Sequence, residues 1–490
     1  MKKRKILLAA RTSWHLRDLV ESGALELLKK NFDLTILYID SKISTSKQDP
    51  EYNLSEYGKL YSYPKKLPNW LLKKEKGIWK KIQTLRKNFR PSLSHTAYFL
   101  NEIETKKKLI KKNSLFDQLY LSLFKFEILF IKICFFFKIN FFVNKLLKFF
   151  LNLTCSKIIP RDEKYDLALV CYNPYAVFGY TDDFLRDAKK IGLKTFGLQM
   201  NLDNLINRRP FVLPDFLGVW GIQSFTWSIN EHKLSPYRLA LIGTPRVDLL
   251  MKSLPDKNKS KEFLKIPTDS NVLLFCPASR KHDENYILHK FQEGVDKNFF
   301  SKNTFIFFKD HAGKIFYDTD LKDYYGIKDK HKLKNVIFWS EIHKNFYRNA
   351  ATPLDNYRYF YGASDATISP LSTMHVEAML LGIPALCYTY SIDPKLYPHD
   401  LQMHQYKHLI FHYPSLRSDG VIVCEKRENI NDNIKEIFRK SKETKISEIC
   451  KMTASQSIHT GVDLASERIV KNIHKILNDG FIDNSSNYYK

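Results

Sequence analysis

The stretch that decides the fold is ISPLSTMHVEAMLLGIPAL, residues 368–386. Its middle predicts a helix over 374–381 that stops at Gly382, with Pro384 just beyond as a second stop signal. The apolar residues 385–388 then predict a buried strand. A strand, a turn, a helix and a second strand in this order are typical of a parallel α/β unit. Three hydroxyl residues can cap the start of the helix: Ser369, Ser372 and Thr373.

One carboxylate interrupts this apolar helix. A helix that is apolar almost all round is expected to be buried, and Glu377 lies inside it, one turn after Thr373 and on the same face. A buried carboxylate needs a cationic partner or a ligand hydroxyl. The free amides at the start of a helix form an anion site. A phosphate at the helix start and ribose hydroxyls on Glu377 would use both features.

The stretch resembles the donor-binding segment of GT-B glycosyltransferases. The matching residues are Ser372-Thr373, Glu377-Ala378, Gly382 and Pro384, which follow the family pattern of small hydroxyl residues, Glu-Ala and Gly-x-Pro. The resemblance implies that Glu377 holds the ribose of a nucleotide-activated donor. It also implies that Ser369, Ser372 and Thr373 contact phosphate. The alternative is a buried structural helix with an ion-paired glutamate.

Size, charge and cysteine content narrow the class of protein. A chain of 490 residues is too long for one core, so two or three domains are expected. Its net charge of +26 favours an anionic partner such as nucleotide phosphate or anionic lipid, and no nucleic-acid-binding motif accompanies it. The seven cysteines include no CxxC, so neither a zinc site nor a disulfide framework is expected. The apolar run at the N-terminus is too short for a signal peptide, which predicts a cytoplasmic location.

The N-terminal part, 1–253, opens with a strand, a helix and a strand, as in a doubly wound acceptor-side domain. His15 follows the first strand, where ligands of such sheets bind, and is a candidate general base. The alternative is a solvent-exposed or locally bonded histidine. Asp203, in the polar loop after a later strand, is a second candidate. Residues 41–161 form a predicted insertion. Within it, 121–153 carry Phe, Leu and Ile beside Lys, which predicts amphipathic helices for an anionic membrane surface or for internal packing.

The segment GTPRVD, 243–248, follows a short apolar strand. It resembles a segment of bacterial surface-polymer transferases, the CDP-glycerol glycerophosphotransferases and related capsule enzymes, that lies between two GT-B domains. The resemblance implies a phosphate contact for Arg246, whose guanidinium offers several donors in one plane. The alternative is a helix-capping turn in which Arg246 pairs with Asp248.

A polar, lysine-rich segment, 254–270, predicts a linker to a nucleotide-donor domain over 271–480, followed by a polar tail over 481–490. The loop after the first strand of this domain carries Ser279 and Arg280, which can approach phosphate. Lys309 and His311 follow the next strand and resemble the Lys-x-His segment of the same transferases. A surface lysine and a packed histidine are the alternative for Lys309 and His311.

These features together predict an α/β protein of GT-B architecture, with two Rossmann-like domains and a helical, basic and aromatic insertion in the first. The predicted activity is glycosyl transfer from a nucleotide-activated donor to a surface polysaccharide or lipid-linked acceptor, without a cofactor. Asp318-Thr319-Asp320 lies in a polar run, so no metal site is expected there. The alternatives are a CDP-glycerol-type glycerophosphotransferase, a nucleotide-sugar 2-epimerase and a non-catalytic assembly factor at the membrane.

Overall fold

A computed structural model describes most of the chain outside the predicted insertion. For residues 13–15, 62, 180 and 413 only the backbone is described. The described residues are 3–10, 13–38, 52–62, 157–173, 180–202, 205, 212–252, 254–277, 283–310, 327–342, 353–370, 372–390 and 413–482.

The first sheet has seven parallel strands within the described ranges, in the order β3-β2-β1-β4-β5-β6-β7. Its strands are β1 (Lys5–Ala10), β2 (Asp33–Tyr38), β3 (Lys59–Ser62), β4 (Leu167–Tyr172), β5 (Thr195–Gln199), β6 (Phe216–Val219) and β7 (Leu239–Leu241). The helices along this part of the chain are α1 (Ser13–Glu21), α2 (Ala24–Asn31), α3 (Tyr180–Lys190), α4 (Ile222–Asn230) and α5 (Pro245–Lys252). The strand order reverses between β1 and β4, and ligands of doubly wound sheets bind at such a switch point.

The second sheet is also parallel and has the order β10-β9-β8-β11-β12-β13 among the described residues. Its strands are β8 (Asn271–Phe275), β9 (Thr304–Phe308), β10 (Val336–Phe338), β11 (Ala366–Ser369), β12 (Ala385–Tyr388) and β13 (Val421–Cys424). The accompanying helices are α6 (Lys257–Phe263), α7 (Glu284–Asp296), α8 (Trp339–Ile342), α9 (Leu354–Ala363), α10 (Thr373–Leu380), α11 (Tyr413–Leu416), α12 (Ile430–Lys440), α13 (Thr444–Ser455) and α14 (Ala465–Asn478). Its switch point lies between β8 and β11.

Continuous apolar strands explain both layers, each layer being one sheet with the helices that pack on it. In the central strands nearly every residue is buried, as expected when helices cover both faces of a parallel sheet. The predicted helix of the opening stretch is observed as α10, one residue earlier than expected at each end. Gly382 ends it with a left-handed φ of 81°, and a Cβ there would lie 2.1 Å from Oγ of Ser447.

Three observations differ from the predicted domain limits. The strand β3 falls inside the predicted insertion and extends the first sheet by pairing with β2, but its four residues are too few to show a pattern. The predicted linker contains α6, which packs against α9 of the second layer. The last helix, α14, packs on α2 and α5 of the first layer, because its apolar face completes that core.

The GTPRVD segment connects these parts. Gly243 has a φ of 71°, and a Cβ there would lie 2.4 Å from the carbonyl oxygen of His459, so a side chain is excluded. Asp248 is buried and accepts hydrogen bonds from the amides of Ala465 (2.7 Å) and Ser466 (2.9 Å) and from Oγ of Ser466 (2.9 Å). Asp248 therefore caps α14, and the alternative of an Arg246–Asp248 ion pair is wrong.

Asp248→Ala removes this cap. Two backbone amides of α14 lose their partner in a buried environment, so we expect the free energy of unfolding to fall by about 2–4 kcal/mol. Urea unfolding measures the loss, and hydrogen exchange should accelerate at Ala465 and Ser466. Asp479→Ala, an exposed aspartate just after the same helix, is the matched control and should leave both readouts nearly unchanged. Unaltered exchange at α14 in Asp248→Ala would contradict the capping role.

Candidate functional site

The candidate site lies where elements of both layers meet. The helix α1 follows β1 at the switch point of the first sheet, and α10 follows β11 at the switch point of the second. Helix α5 packs against α1 and α9, which brings the two carboxyl edges together. Among the described residues, this junction gathers the buried charged side chains discussed below. It is the position at which open α/β sheets bind ligands.

The start of α10 is held by a reciprocal cap. Oγ of Ser372 accepts a hydrogen bond from the amide of Met374 (3.1 Å), and the amide of Ser372 donates to Nδ1 of His375 (3.1 Å). Burial lowers the pKa of His375 to about 4, so the ring is neutral and carries its proton on Nε2. The hydroxyl of Ser372 keeps its own proton for donation. Thr373 is the first residue of the helix and is half-buried.

Glu377 forms an ion pair with Arg246. Oε2 of Glu377 accepts hydrogen bonds from Nη2 of Arg246 (3.1 Å) and from the hydroxyl of Tyr361 (2.8 Å). Oε1 lies 2.8 Å from Nε of Arg246, at an angle that makes the contact an ion pair rather than a hydrogen bond. The Glu377 side chain has no exposed surface, and that of Arg246 is 14% exposed. Burial lowers the pKa of Arg246, but the charge of Glu377 together with those of Tyr357, Asp18 and Tyr361 outweighs burial, and the pKa is raised.

Tyr357 lies between two cations. Its hydroxyl accepts a hydrogen bond from Nζ of Lys309 (3.0 Å), and that nitrogen lies 4.9 Å from the ring centre. The guanidinium of Arg246 lies 5.0 Å from the same centre. Burial raises the pKa of the phenol, yet the charges of Lys309, Arg246 and Arg17 outweigh it, and the pKa is lowered. Tyr357 thus contacts both cations, and these contacts offset part of the repulsion between like charges in a medium of low dielectric constant.

Arg17 contributes a cation from the first layer. It lies on α1, is fully buried, and donates from Nε (3.1 Å) and Nη2 (2.8 Å) to Oδ1 of Asp18. Its charge interacts with Tyr357 and Arg246, which places α1 against the Arg246–Glu377 pair. Among the residues that the structure describes, the junction therefore holds three cations, on Arg17, Arg246 and Lys309, against two carboxylates, on Asp18 and Glu377. An excess of buried positive charge is suited to an anionic ligand.

Two buried hydroxyls lie at neighbouring strand ends beside α10. Ser369 ends β11 and Thr389 directly follows β12. Each is 1% exposed, and neither hydroxyl has a hydrogen-bond partner among the described residues. The register pairs Ser369 with Cys387, two residues before Thr389, so both hydroxyls belong to the sheet face that α10 covers. They add donors at the helix start.

The predicted site residues have three outcomes: six lie at the junction, one is described by its backbone alone, and four lie outside the described residues. Lys309, Arg246, Ser369, Ser372, Thr373 and Glu377 come together at the junction, although Glu377 contacts Arg246 and Tyr361 there. His15 belongs to the first turn of α1, and its side chain is not described. The other predicted residues, Asp203, Ser279, Arg280 and His311, lie outside the described residues, as do Asp318-Thr319-Asp320 and 121–153.

Sequence reasoning missed Arg17, Tyr357 and Tyr361. A signal existed for the tyrosines, since they are four apart on a predicted helix and therefore share a face. Arg17 follows the strand-end loop of the first domain by one helical turn, and nothing in its neighbours sets it apart from a surface arginine. Within the described parts of the chain, no group of three or more His, Cys, Asp or Glu could hold a metal ion, and no helix is long and apolar enough to cross a membrane.

The sequence was compared with protein families and with curated proteins. Residues 225–394 match the family described as CDP-Glycerol:Poly(glycerophosphate) glycerophosphotransferase. Over this range the chain is similar to this family. The matched range includes the GTPRVD segment, Lys309 and all of α10, which is the part of the chain that builds most of the junction. No curated protein matches the sequence.

Solved structures show the fold. The chain is similar to UDP-GlcNAc 2-epimerase from Neisseria meningitidis bound to UDP-GlcNAc, with 14% identity, 96% of this chain and 100% of that chain covered, and a TM-score of 0.50. A Listeria monocytogenes protein assigned as UDP-N-acetylglucosamine 2-epimerase is 11% identical, with 98% of this chain and 98% of that chain covered and a TM-score of 0.50. The wall teichoic acid polymerase TagF gives 16% identity over 61% of this chain and 62% of that chain, with a TM-score of 0.38. The predicted GT-B architecture is confirmed.

The buried neutral His375 predicts a pH dependence of stability. Its pKa is about 4 when folded and 6.5 when exposed, so the unfolded chain binds more protons between these values. Stability is therefore lost as the pH falls below 6.5. His375→Gln keeps an acceptor for the cap, since Gln is a typical residue at this helix position. Between pH 7.5 and 5, we expect the wild type to lose about 2 kcal/mol more than this variant in urea unfolding. Parallel losses would contradict the buried neutral ring.

Proposed function

We propose that this chain transfers a glycosyl group from a nucleotide-activated donor to a hydroxyl of a surface polysaccharide or lipid-linked acceptor, without a metal ion. The observation that carries the proposal is the buried group of cations at the junction, formed by Arg17, Arg246 and Lys309 from both layers. It lies beside the start of α10, whose amides add partial positive charge. The relation to a transferase family over 225–394 supports it.

The chemistry assigned to these residues is electrostatic. When the bond between the sugar and the donor phosphate breaks, negative charge develops on the leaving nucleotide. Arg246 and Lys309 are fixed in place by Glu377 and Tyr357, so they can stabilise that charge without reorganising. The attacking hydroxyl must lose its proton, and His15 or Asp203 is proposed as the base. Ser279, Arg280 and His311 are proposed as further donor contacts.

A second candidate is transfer of glycerol phosphate from CDP-glycerol. The family match favours it, because the family is named for that reaction. The difference lies in the bond that breaks: the acceptor oxygen attacks phosphorus rather than the anomeric carbon, and CMP leaves instead of a nucleoside diphosphate. The same cations would stabilise the leaving group in either reaction.

Donor screening tests the proposal. A ligand that binds the native state raises the melting temperature, so thermal shift should identify the donor among UDP, CDP, CMP and GDP sugars and CDP-glycerol. Product analysis with the stabilising donor then distinguishes the reactions: a released nucleoside diphosphate indicates glycosyl transfer, and CMP from CDP-glycerol indicates glycerophosphotransfer. Activity should persist in EDTA. Interconversion of the sugar without an acceptor would indicate epimerisation, and stabilisation by none of the donors would overturn the proposal in favour of an assembly factor.

Lys309→Ala tests the cationic site in particular. Removing one preorganised donor of charge to the leaving group should lower kcat by about 10²–10³-fold. Steady-state kinetics with the identified donor measure the loss, and circular dichroism checks the fold. Lys290→Ala, at a lysine on α7 that pairs with Glu293, is the matched control and should retain full activity. A wild-type kcat in Lys309→Ala would remove this lysine from the site.

The segment 121–153 is the proposed membrane contact. Residues 121–153 are proposed to bind an anionic membrane surface, which would bring the enzyme to a lipid-linked acceptor at the inner face of the cytoplasmic membrane. The protein should then sediment with vesicles of phosphatidylglycerol and not with those of phosphatidylcholine, and the binding should weaken at high salt. Equal recovery in the supernatant with both would contradict it.

A further inference from the structure

We propose that Glu377 is a positioning residue that fixes the guanidinium of Arg246 against the phosphate of the donor, and that it does not bind ribose. The inference rests on the proposed function, since it names what one residue of that site does. It departs from the role that the sequence resemblance implies for Glu377, and the reason lies in the contacts and burial of the carboxylate.

Both carboxylate oxygens of Glu377 face protein groups, and only Oε2 accepts hydrogen bonds among the described residues. Oε2 accepts from Arg246 and from Tyr361, and Oε1 faces Nε of Arg246 at 2.8 Å. With 0% of its side chain exposed, Glu377 offers no surface to a ribose hydroxyl. A ribose that took the place of Arg246 would leave a buried guanidinium without its counter-charge. Such a loss opposes ribose binding.

Arg246 is the accessible member of the pair. Its side chain is 14% exposed, and its contacts to Glu377 use Nε and Nη2, so the Nη1 amino group is not held by this carboxylate. The ring centre of Tyr357 lies 5.0 Å from the guanidinium carbon. A planar cation held through two of its nitrogens presents the third in a fixed direction. That arrangement suits a phosphate, which guanidinium groups bind through paired donors.

The neighbouring cations agree with this assignment. Lys309 donates to Tyr357, and the charge of Arg17 reaches both Tyr357 and Arg246. Glu377 is the carboxylate that contacts Arg246 directly, and it faces away from solvent. Its negative charge therefore offsets part of the positive charge of the three cations before an anion binds. The anion then neutralises the remaining positive charge.

A double-mutant cycle with phosphate-bearing and ribose-altered probes tests the assignment. Binding of inorganic pyrophosphate, CDP, UDP and their 2′-deoxy and 3′-deoxy forms is measured by calorimetry for wild type, Glu377→Gln, Arg246→Lys and the double variant. We expect Glu377→Gln to weaken pyrophosphate at least 10-fold, to leave the ratio between ribo and deoxy forms unchanged, and to be strongly non-additive with Arg246→Lys. Glu293→Gln, an exposed glutamate on α7, should match the wild type.

Other results separate the two proposals. If Glu377→Gln abolishes the preference for ribo over deoxy nucleotides and leaves pyrophosphate unaffected, Glu377 binds ribose and the inference is overturned while the proposed function stands. Pyrophosphate binding that depends on Glu377, without binding of either nucleotide, keeps the inference and counts against the proposed function. Absence of binding by any probe to the wild type overturns both.

Tyr361→Phe is a second variant that tests the same contact if the Glu377 variant fails to fold. It removes the hydroxyl that donates to Oε2 and keeps the Arg246–Glu377 pair. A looser carboxylate should weaken pyrophosphate binding a few-fold and leave the ratio between ribo and deoxy forms as in wild type. Unchanged pyrophosphate affinity, with the melting temperature lowered alone, would show that the contacts around Glu377 serve only the fold.

Discussion

The candidate site depends on the buried ion pair between Arg246 and Glu377. These residues are 131 positions apart in the chain. Their contact joins helix α5, which follows the last strand of the first sheet, to helix α10 of the second layer. A buried charge is costly unless it is paired, so each residue requires the other. The pair in turn explains the aromatic residues around it: Tyr361 donates to the carboxylate, and Tyr357 supports the guanidinium.

The same short segment serves both folding and the site. In GTPRVD, Gly243 allows a close approach to the last part of the chain, Asp248 caps the final helix, and Arg246 faces the junction. The final helix packs on the first layer, so the chain crosses between the layers twice. The cation that we propose to hold the donor is therefore fixed by the element that also fixes how the first layer is completed.

The sequence predicted much of the fold because the relevant forces are local. Continuous apolar runs identified most strands, and Gly382 ended the central helix where expected. The prediction failed where an element is short or where its placement depends on a residue distant in the sequence. The strand β3 has four residues and becomes a strand only by pairing with β2. The last helix is amphipathic in sequence, but which layer receives its apolar face depends on a cap provided more than 200 residues earlier.

For the site, the sequence by itself determined which residue types are present: a carboxylate in an apolar helix, hydroxyls at the helix start, and cations after strand ends. Only the tertiary structure decided their partners. In the tertiary structure Glu377 pairs with Arg246, and Tyr357 contacts Lys309 and Arg246. Arg17 from the first layer adds a further cation nearby. The physical reason is that periodicity and capping act over a few residues, whereas the pairing of buried charges depends on which elements meet when two sheets pack together.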